Sequence, residues 1–383
     1  MKIKSLFFAC LFLAGNAFAE TQVDIRKITP PKLEKTNLGK KILCHRPMRR
    51  GTPEMKVEHV GDKLIAHNYG HGGSGWTLGP GSANYVNNLL INSAQAQNLK
   101  KNSKITIIGA GALGLFTAYD LYNKGYHNLT IIADKFDDLT SHNAGGLLAP
   151  VSMDNSQEMQ AIVDQIGIDA YKFYDSIAKN EMPDFKNGAK IVPTYFKTRE
   201  DSGLEPYVGK VMKPAKDVVL DFGTGTTQKM VAYDDGIFID TAVMMEDLTK
   251  FLKSKKVKFV KQKVEKLTAI DSKFIINCSG LGGKDLNSDN EMVSVQGHLI
   301  MLKDQNLKDL QHMILVYFGE AKTKSGQKVK RSFYMFPKKL PNTGENDVGV
   351  VGGTFIEGAT SETPNTEEFD VMIKGAKEFY GIK

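Results

Sequence analysis

Apolar and polar positions along this chain switch between two periods, and the switches mark its elements. Ile105-Thr106-Ile107-Ile108 is an unbroken apolar run of strand length, as expected of a strand covered on both faces. From Ala112 to Asn123 the apolar residues fall at 113, 116, 119 and 121, a helical spacing that Gly125 terminates. Leu129-Thr130-Ile131-Ile132 reads as a second buried strand and completes a βαβ unit. Asp240 is placed to cap a helix through Met244, Met245, Leu248 and Leu252. Residues 257–260 and Phe274-Ile275-Ile276 read as further strands of the same sheet. Upstream, Ile42-Leu43 opens a short strand leading into Arg46-Pro47-Met48-Arg49, and Lys63-Leu64-Ile65-Ala66-His67 forms another. Beyond Pro80-Gly81-Ser82, the spacing of Val86, Leu89, Leu90 and Ala94 predicts a helix over 83–96, with a polar connector over 95–104. The spans 151–239 and 286–383 mix both periods with frequent turn signals.

The first nineteen residues follow a different logic. Lys2 and Lys4 precede an apolar run over 6–14, and Ala17-Phe18-Ala19 is a small-x-small cleavage signal. This is the pattern of a secretory signal peptide, so the mature chain is expected in the periplasm or outside the cell. The run is too short for a spanning helix, which needs roughly 18–20 apolar residues. Residues 20–40, with Pro30-Pro31 and several lysines, read as a linker. A formal charge of +7 is modest for 383 residues, and no basic stripe is interleaved with aromatics, which argues against a nucleic-acid partner. Cys44 and Cys278, the two cysteines beyond the signal, are expected as buried thiols rather than as a disulfide scaffold.

Candidate chemistry concentrates in two glycine-rich segments. Gly109-Ala110-Gly111-Ala112-Leu113-Gly114 follows a strand and opens a helix, and Asp134 ends the next strand twenty residues after Gly114. That context makes it a dinucleotide fingerprint. Gly109 permits the tight turn, Gly111 lets main chain approach a pyrophosphate, and Gly114 allows close helix–strand packing. The helix start at Ala112 and Leu113 offers unpaired N–H groups to phosphate, and Asp134 would accept from ribose hydroxyls. The fingerprint alone does not separate NAD from FAD. The other segment, His67-Asn68-Tyr69-Gly70-His71-Gly72-Gly73-Ser74-Gly75-Trp76-Thr77, lies upstream. His67 and His71 have the spacing of a metal pair, but Gly70 breaks the helix that would align them, so no metal is expected.

This upstream segment resembles the loop that clasps the flavin ring in the D-amino-acid oxidase family, where it lies near the C-terminus. Ala133-Asp134-Lys135-Phe136, Leu139-Thr140-Ser141 and Ala144-Gly145-Gly146-Leu147-Leu148-Ala149-Pro150 are similar to the family's run from the ribose contact to the isoalloxazine. Small residues at 144–146 would let a planar ring lie against main chain. Residues 257–265 resemble the strand whose valine, here Val264, touches adenine. Ile276-Asn277-Cys278-Ser279-Gly280 resembles the Asn-Cys-Thr-Gly turn beside the cofactor. Phe333-Tyr334-Met335-Phe336-Pro337 and Val350-Val351-Gly352-Gly353-Thr354-Phe355 resemble two later strands. The family's Arg-Pro-x-Arg strand, which would follow them, is matched at the front by Arg46-Pro47-Met48-Arg49.

The resemblance implies an α/β fold in circularly permuted order, a Rossmann-type FAD-binding domain with a mixed β-sheet substrate domain. The first comprises 41–150 and 240–285, with 41–60 partly lining the substrate site; the second comprises 151–239 and 286–383. It implies FAD held non-covalently by the fingerprint, Asp134, Lys135, Thr140, Ser141, Gly145, Gly146, Leu147, Val264, Ser279, Gly280 and residues 72–77. It implies Arg46 as the anchor of a substrate carboxylate, Tyr334 as its neighbour and Gly73 as the main-chain member of the catalytic set. The expected reaction oxidises a D-amino acid to its imino acid, with O2 reduced to H2O2. An amine dehydrogenase, a glycine/sarcosine-type oxidase and a catalytically silent flavoprotein are the alternatives. Two departures stand out: Lys330 replaces a frequent second tyrosine four residues before Tyr334, and Gln296-Gly297-His298 replaces an Arg-Gly-Gln turn.

Overall fold

A computed structural model describes residues 23–383 apart from 152 and 154, so the signal-peptide expectation lies outside the described residues. The first strands are β1 (Asp24–Lys27), β2 (Leu38–Arg49), β3 (Glu54–Val60), β4 (Lys63–Tyr69), β5 (Ile105–Ile108) and β6 (Leu129–Ala133). Then come β7 (Ala189–Ile191), β8 (Thr194–Phe196), β9 (Lys216–Asp221), β10 (Thr227–Tyr233), β11 (Ile237–Ile239), β12 (Lys258–Lys261) and β13 (Phe274–Asn277). The last are β14 (Met292–Leu302), β15 (Met313–Lys322), β16 (Lys328–Lys339) and β17 (Val348–Glu357). The helices are α1 (Gly75–Ile91), α2 (Ala112–Asn123), α3 (Thr140–Asn143), α4 (Gln157–Ala178), α5 (Thr241–Ser254), α6 (Gly283–Leu286) and α7 (Glu368–Tyr380).

Uninterrupted apolar strands need cover on both faces, and here they form one sheet of order β12-β6-β5-β13-β4-β3. All its neighbours are parallel except β3 and β4, which form a hairpin. The α1 helix connects β4 to β5, and α2 connects β5 to β6. A second sheet runs β1-β9-β10-β8-β15-β16-β17-β14-β2 and is mostly antiparallel. The largest apolar cluster unites both, joining Ile105 and Ile107 to Leu299, Leu315 and Tyr334. No described helix is long and apolar enough to cross a membrane. Cys44 and Cys278 are both buried and unpaired.

Four expectations need correction. Residues 23–40 are not a linker. There β1 pairs with β9, and Arg26 bridges Asp24 and Asp234, while Leu33 is buried. Within the span assigned to the FAD domain, β2 instead pairs with β14 at the edge of the larger sheet. Gln296-Gly297-His298 is no turn but the middle of β14.

The helix expected over 83–96 starts eight residues earlier, at Gly75, and runs through Pro80. Proline removes the N–H that would bond the carbonyl of Trp76 one turn back. The buried Tyr174 hydroxyl donates to that carbonyl at 2.7 Å instead. Glycines on either side of the proline let neighbours approach. A Cβ on Gly79 would meet the Phe116 ring at 2.7 Å, and one on Gly81 the Ile166 carbonyl oxygen at 2.1 Å.

Candidate active site

The larger sheet and the segments that follow β4, β5, β6 and β13 enclose a cavity of about 860 Å³. At one end lie Gly111, Ala112 and Leu113, where β5 hands over to α2. Gly109 makes the turn at φ +105°, and its missing Cβ leaves room for the Cys278 carbonyl oxygen, 2.3 Å from where that atom would be. Gly114 is equally forced, since a Cβ there would sit 2.0 Å from the Gly109 carbonyl oxygen. Ser141 Oγ accepts from the Ala112 N–H at 3.0 Å, so one donor of the helix start is already used. Thr140, Ser141 and Gly280 also line the cavity.

The upstream glycine segment forms the next stretch of wall through Gly72, Gly73, Gly75 and Trp76. Trp76 Nε1 donates to the Ser141 carbonyl at 2.9 Å and ties this wall to the phosphate end. Ser74 and Thr77 face the protein instead. Thr77 Oγ1 donates to the Ala149 carbonyl and accepts from its N–H, while Ser74 Oγ donates to the Val151 carbonyl. His67 bonds Glu58 and Asn277, so it is structural. The His71 ring is fully buried with both nitrogens unpartnered, and that burial lowers its pKa to about 4. It is neutral in ordinary buffers. Among the described residues no cluster of metal-ligating side chains is present.

Gly145, Gly146 and Leu147 line the opposite wall, but the reason for the glycines differs from the expected one. A Cβ on Gly145 would strike the Phe336 ring at 2.8 Å, and one on Gly146 the Ile239 carbonyl oxygen at 2.2 Å. They are small because protein packs behind them. Behind the same wall lies Lys338, fully buried, with Nζ donating to the His142 carbonyl and to Thr241 Oγ1. Burial without a contacting carboxylate lowers its pKa to about 8.

The far end is built on the larger sheet. Cys44, Arg46 and Met48 alternate along β2, with Arg50 just past its end, and Lys330, Ser332, Tyr334 and Phe336 alternate along β16, so each strand set shares one face. Arg46 reaches across β14, where its Nη1 lies 2.6 Å from where a Gly297 Cβ would stand, and donates to the Thr354 carbonyl at 3.0 Å. It forms no salt bridge among the described residues. Tyr334 lies over Gly352, whose Cβ would be 2.1 Å from the ring, and stacks on Phe336 with centroids 4.6 Å apart. Burial holds its phenol well above the ordinary range against the pull of Arg46, so it stays a donor. Arg49, on the other face, pairs with Asp289 at 2.8 Å and Glu54 at 3.4 Å.

Fifteen of the expected positions therefore converge on one cavity: Arg46, Gly72, Gly73, Gly75, Trp76, Gly111, Ala112, Leu113, Thr140, Ser141, Gly145, Gly146, Leu147, Gly280 and Tyr334. Gly109, Gly114, Ser74, Thr77 and Ser279 sit behind the wall. Asp134 and Lys135 are exposed at the end of β6, and Val264 packs against the outer cluster of Ile65 and Ile275. Phe336, Met48 and Tyr317 line the cavity without having been anticipated. For Phe336 the signal was available, two residues from Tyr334 on one strand face.

A cavity running from a dinucleotide fingerprint to an arginine–tyrosine pair is that of a protein binding a dinucleotide cofactor beside a second, anionic ligand. The chain belongs to the FAD-dependent oxidoreductase family of D-amino-acid oxidase type, whose model matches residues 104–382. A D-amino-acid oxidase of Dictyostelium discoideum is 25% identical over 279 residues, covering 70% of this chain and 71% of that protein. Among solved structures, glycine oxidase from Bacillus cereus ATCC 14579 aligns with 72% of this chain and 79% of its own at 12% identity, TM-score 0.49. L-proline dehydrogenase from P. horikoshii aligns with 73% and 79% at 12% identity, TM-score 0.46.

FAD is the cofactor of this family, and the residues fit it. The glycine cradle at 109–114 can take a pyrophosphate, and at Gly75 a Cβ would meet nothing within 4 Å. The buried Ser279 Oγ beside Gly280 lacks a protein partner.

Proposed function

We propose that this enzyme oxidises D-amino acids, using the Arg46–Tyr334 end of the cavity for substrate. The observation that carries the reading is the Arg46 guanidinium, directed into the cavity and bonded to one carbonyl, with no carboxylate pairing it among the described residues. A substrate carboxylate supplies the missing anion, and a guanidinium holds it bidentately. The Tyr334 hydroxyl, kept protonated by burial, donates to the same carboxylate and fixes its rotation. Two anchors of this kind leave one hand of amino acid with its α-hydrogen turned toward the flavin wall. Held by the glycine cradle and the 72–76 wall, FAD would supply the redox chemistry: it would accept the α-hydrogen as hydride while the amine gives up a proton, and those two electrons and two protons would reduce O2 to H2O2. Water then hydrolyses the imino acid to a 2-oxo acid and ammonia. Anaerobic mixing of the holoenzyme with paired D- and L-amino acids tests this, with bleaching expected for the D-forms alone. Equal bleaching by both, or by neither, would reject it.

Two further parts of the reading rest on sequence. The first nineteen residues direct export, which fractionation of the producing cell would test. Residues 41–94 correspond to the family's closing segment moved to the front. Support for this comes from β2 lying beside β14 and from β4 lying beside β13, ahead of the matched span.

A further inference from the structure

The charge left over at the far end of the cavity carries one more step, which rests on the substrate reading above. Among the described residues, two arginines, one lysine and one glutamate line the cavity: Arg46, Arg50, Lys330 and Glu357. A substrate α-carboxylate accounts for Arg46. Arg50 and Glu357 neutralise each other at 2.7 Å. Lys330 remains. Its nearest anion is Glu320 at 3.9 Å, with both side chains more than 60% exposed (65% and 70%), and such a contact is worth little.

The register places this spare cation close to the anchor. Lys330 is opposite Phe355 on β17, one residue along from Thr354, whose carbonyl holds the Arg46 guanidinium. One strand spacing and one residue rise put the Lys330 backbone roughly 6 Å from that carbonyl. Lys330 also shares the face of β16 that carries Tyr334. We infer that Lys330 is a specificity residue for the distal anion of an acidic substrate, so that the preferred D-amino acids carry a side-chain carboxylate. The two carboxylates of aspartate or glutamate are two or three carbons apart, a separation that fits a guanidinium held at β17 by the Thr354 carbonyl and a lysine rooted on the neighbouring β16. Among the described lining residues nothing offers the opposite arrangement, because the one carboxylate there, that of Glu357, is already paired.

The test compares D-glutamate with D-glutamine, which differ in charge and hardly in shape, by anaerobic reduction of the holoenzyme's flavin. Glutarate and glutaramate serve as non-reacting probes, read by the shift each produces in the flavin spectrum. The native enzyme should favour D-glutamate and glutarate by about three- to fivefold at low ionic strength, the yield of an exposed pair, and the preference should shrink with added salt. Lys330→Gln should remove the preference, and Lys330→Glu should reverse it. Lys328→Gln, two residues further along β16 and outside the cavity, should leave it intact. No preference in the native enzyme, or one that Lys330→Gln leaves unchanged, overturns the inference. If no amino acid reduces the flavin, the reaction assignment fails separately. Glutarate binding still decides the anion site by its dependence on Lys330.

Discussion

Arg46 and Arg49 lie three residues apart on one strand, yet their surroundings assign them opposite work. Arg46→Leu should lower kcat/KM by about 30- to 3,000-fold, because cutting one partner of a buried charge pair costs roughly 2–5 kcal/mol. Flavin content should stay as in the parent. Arg49→Leu leaves the buried Asp289 without its cation, while Glu54 keeps Lys56, so it should reduce unfolding stability by about 2–4 kcal/mol and spare the kinetics of the folded fraction. The reverse outcome, activity lost at 49 and kept at 46, would move the carboxylate anchor to Arg49. Lys338 makes a prediction in pH. Its folded pKa of about 8 lies below the ordinary 10.5, so between those values the unfolded chain binds more protons and stability rises with pH. Below pH 8 the cost of the buried charge is fully present. Urea unfolding should show the native protein gaining about 3 kcal/mol on Lys338→Met across pH 8–10.5. Parallel curves would mean that Lys338 is solvated. At this scale the sequence discloses chemistry better than cause. The motifs singled out Arg46 and Tyr334, and both line the same cavity. The reason for Gly145 was not, because what a missing Cβ makes room for is set by a strand almost two hundred residues away.

The α1 helix shows where reading by element succeeds and fails. Its apolar spacing from Val86 to Leu90 was legible, but its first two turns were not, since Gly79-Pro80-Gly81 carries every local mark of a break. Tertiary contacts overrule those marks. Tyr174 from α4 bonds the carbonyl that Pro80 leaves open, and the flanking glycines let α2 and α4 pack close. Tyr174→Phe leaves that buried carbonyl unsatisfied, at a cost of about 1–3 kcal/mol. The damage should centre on the first turn of α1, which carries Gly75 and Trp76 into the cavity wall. We expect weaker FAD binding in titrations of the apoprotein, together with the lower unfolding midpoint. A midpoint that falls while FAD affinity holds would show the turn to be fixed by Trp76 and Thr77 alone. The β2 strand errs the other way. A strand through Ile42 and Leu43 was legible, but its place beside β14 was not, because that register depends on a partner some 250 residues downstream, which no local pattern records.

At the scale of the molecule, the order of segments along the chain is itself testable. The C-terminal end and the stretch before β2 meet in space, since the Lys377 ammonium donates both to the Lys383 carbonyl and to Glu34 Oε1 at 3.1 Å. Nearby, the Tyr380 carbonyl accepts from Thr224, in the loop between β9 and β10, and β9 also pairs with β1. At the other side, residues 92–104 between α1 and β5 form only one short 3-10 turn and are mostly exposed. Exposed connectors far from the site tolerate new ends, and neighbouring ends tolerate joining. A rearranged chain could therefore begin at Gln97, run to Lys383, cross a linker of about ten Gly/Ser residues spanning roughly 17 Å, and finish with 23–96. It should keep every strand pairing described above, since the linker adds only a loop-closure term that grows slowly with length. We expect it to bind FAD, to turn over the same substrates and to unfold within about 2 kcal/mol of the parent. Deleting 23–94 should instead abolish soluble expression, because β2, β3, β4 and α1 leave both sheets incomplete. Should the deleted chain fold and hold FAD, the front segment is an appendage and the permuted reading is lost. Should the rearranged chain fail where the parent folds, the present order of segments is needed for folding, and the correspondence with the family's closing segment would be one of shape without exchangeable connectivity.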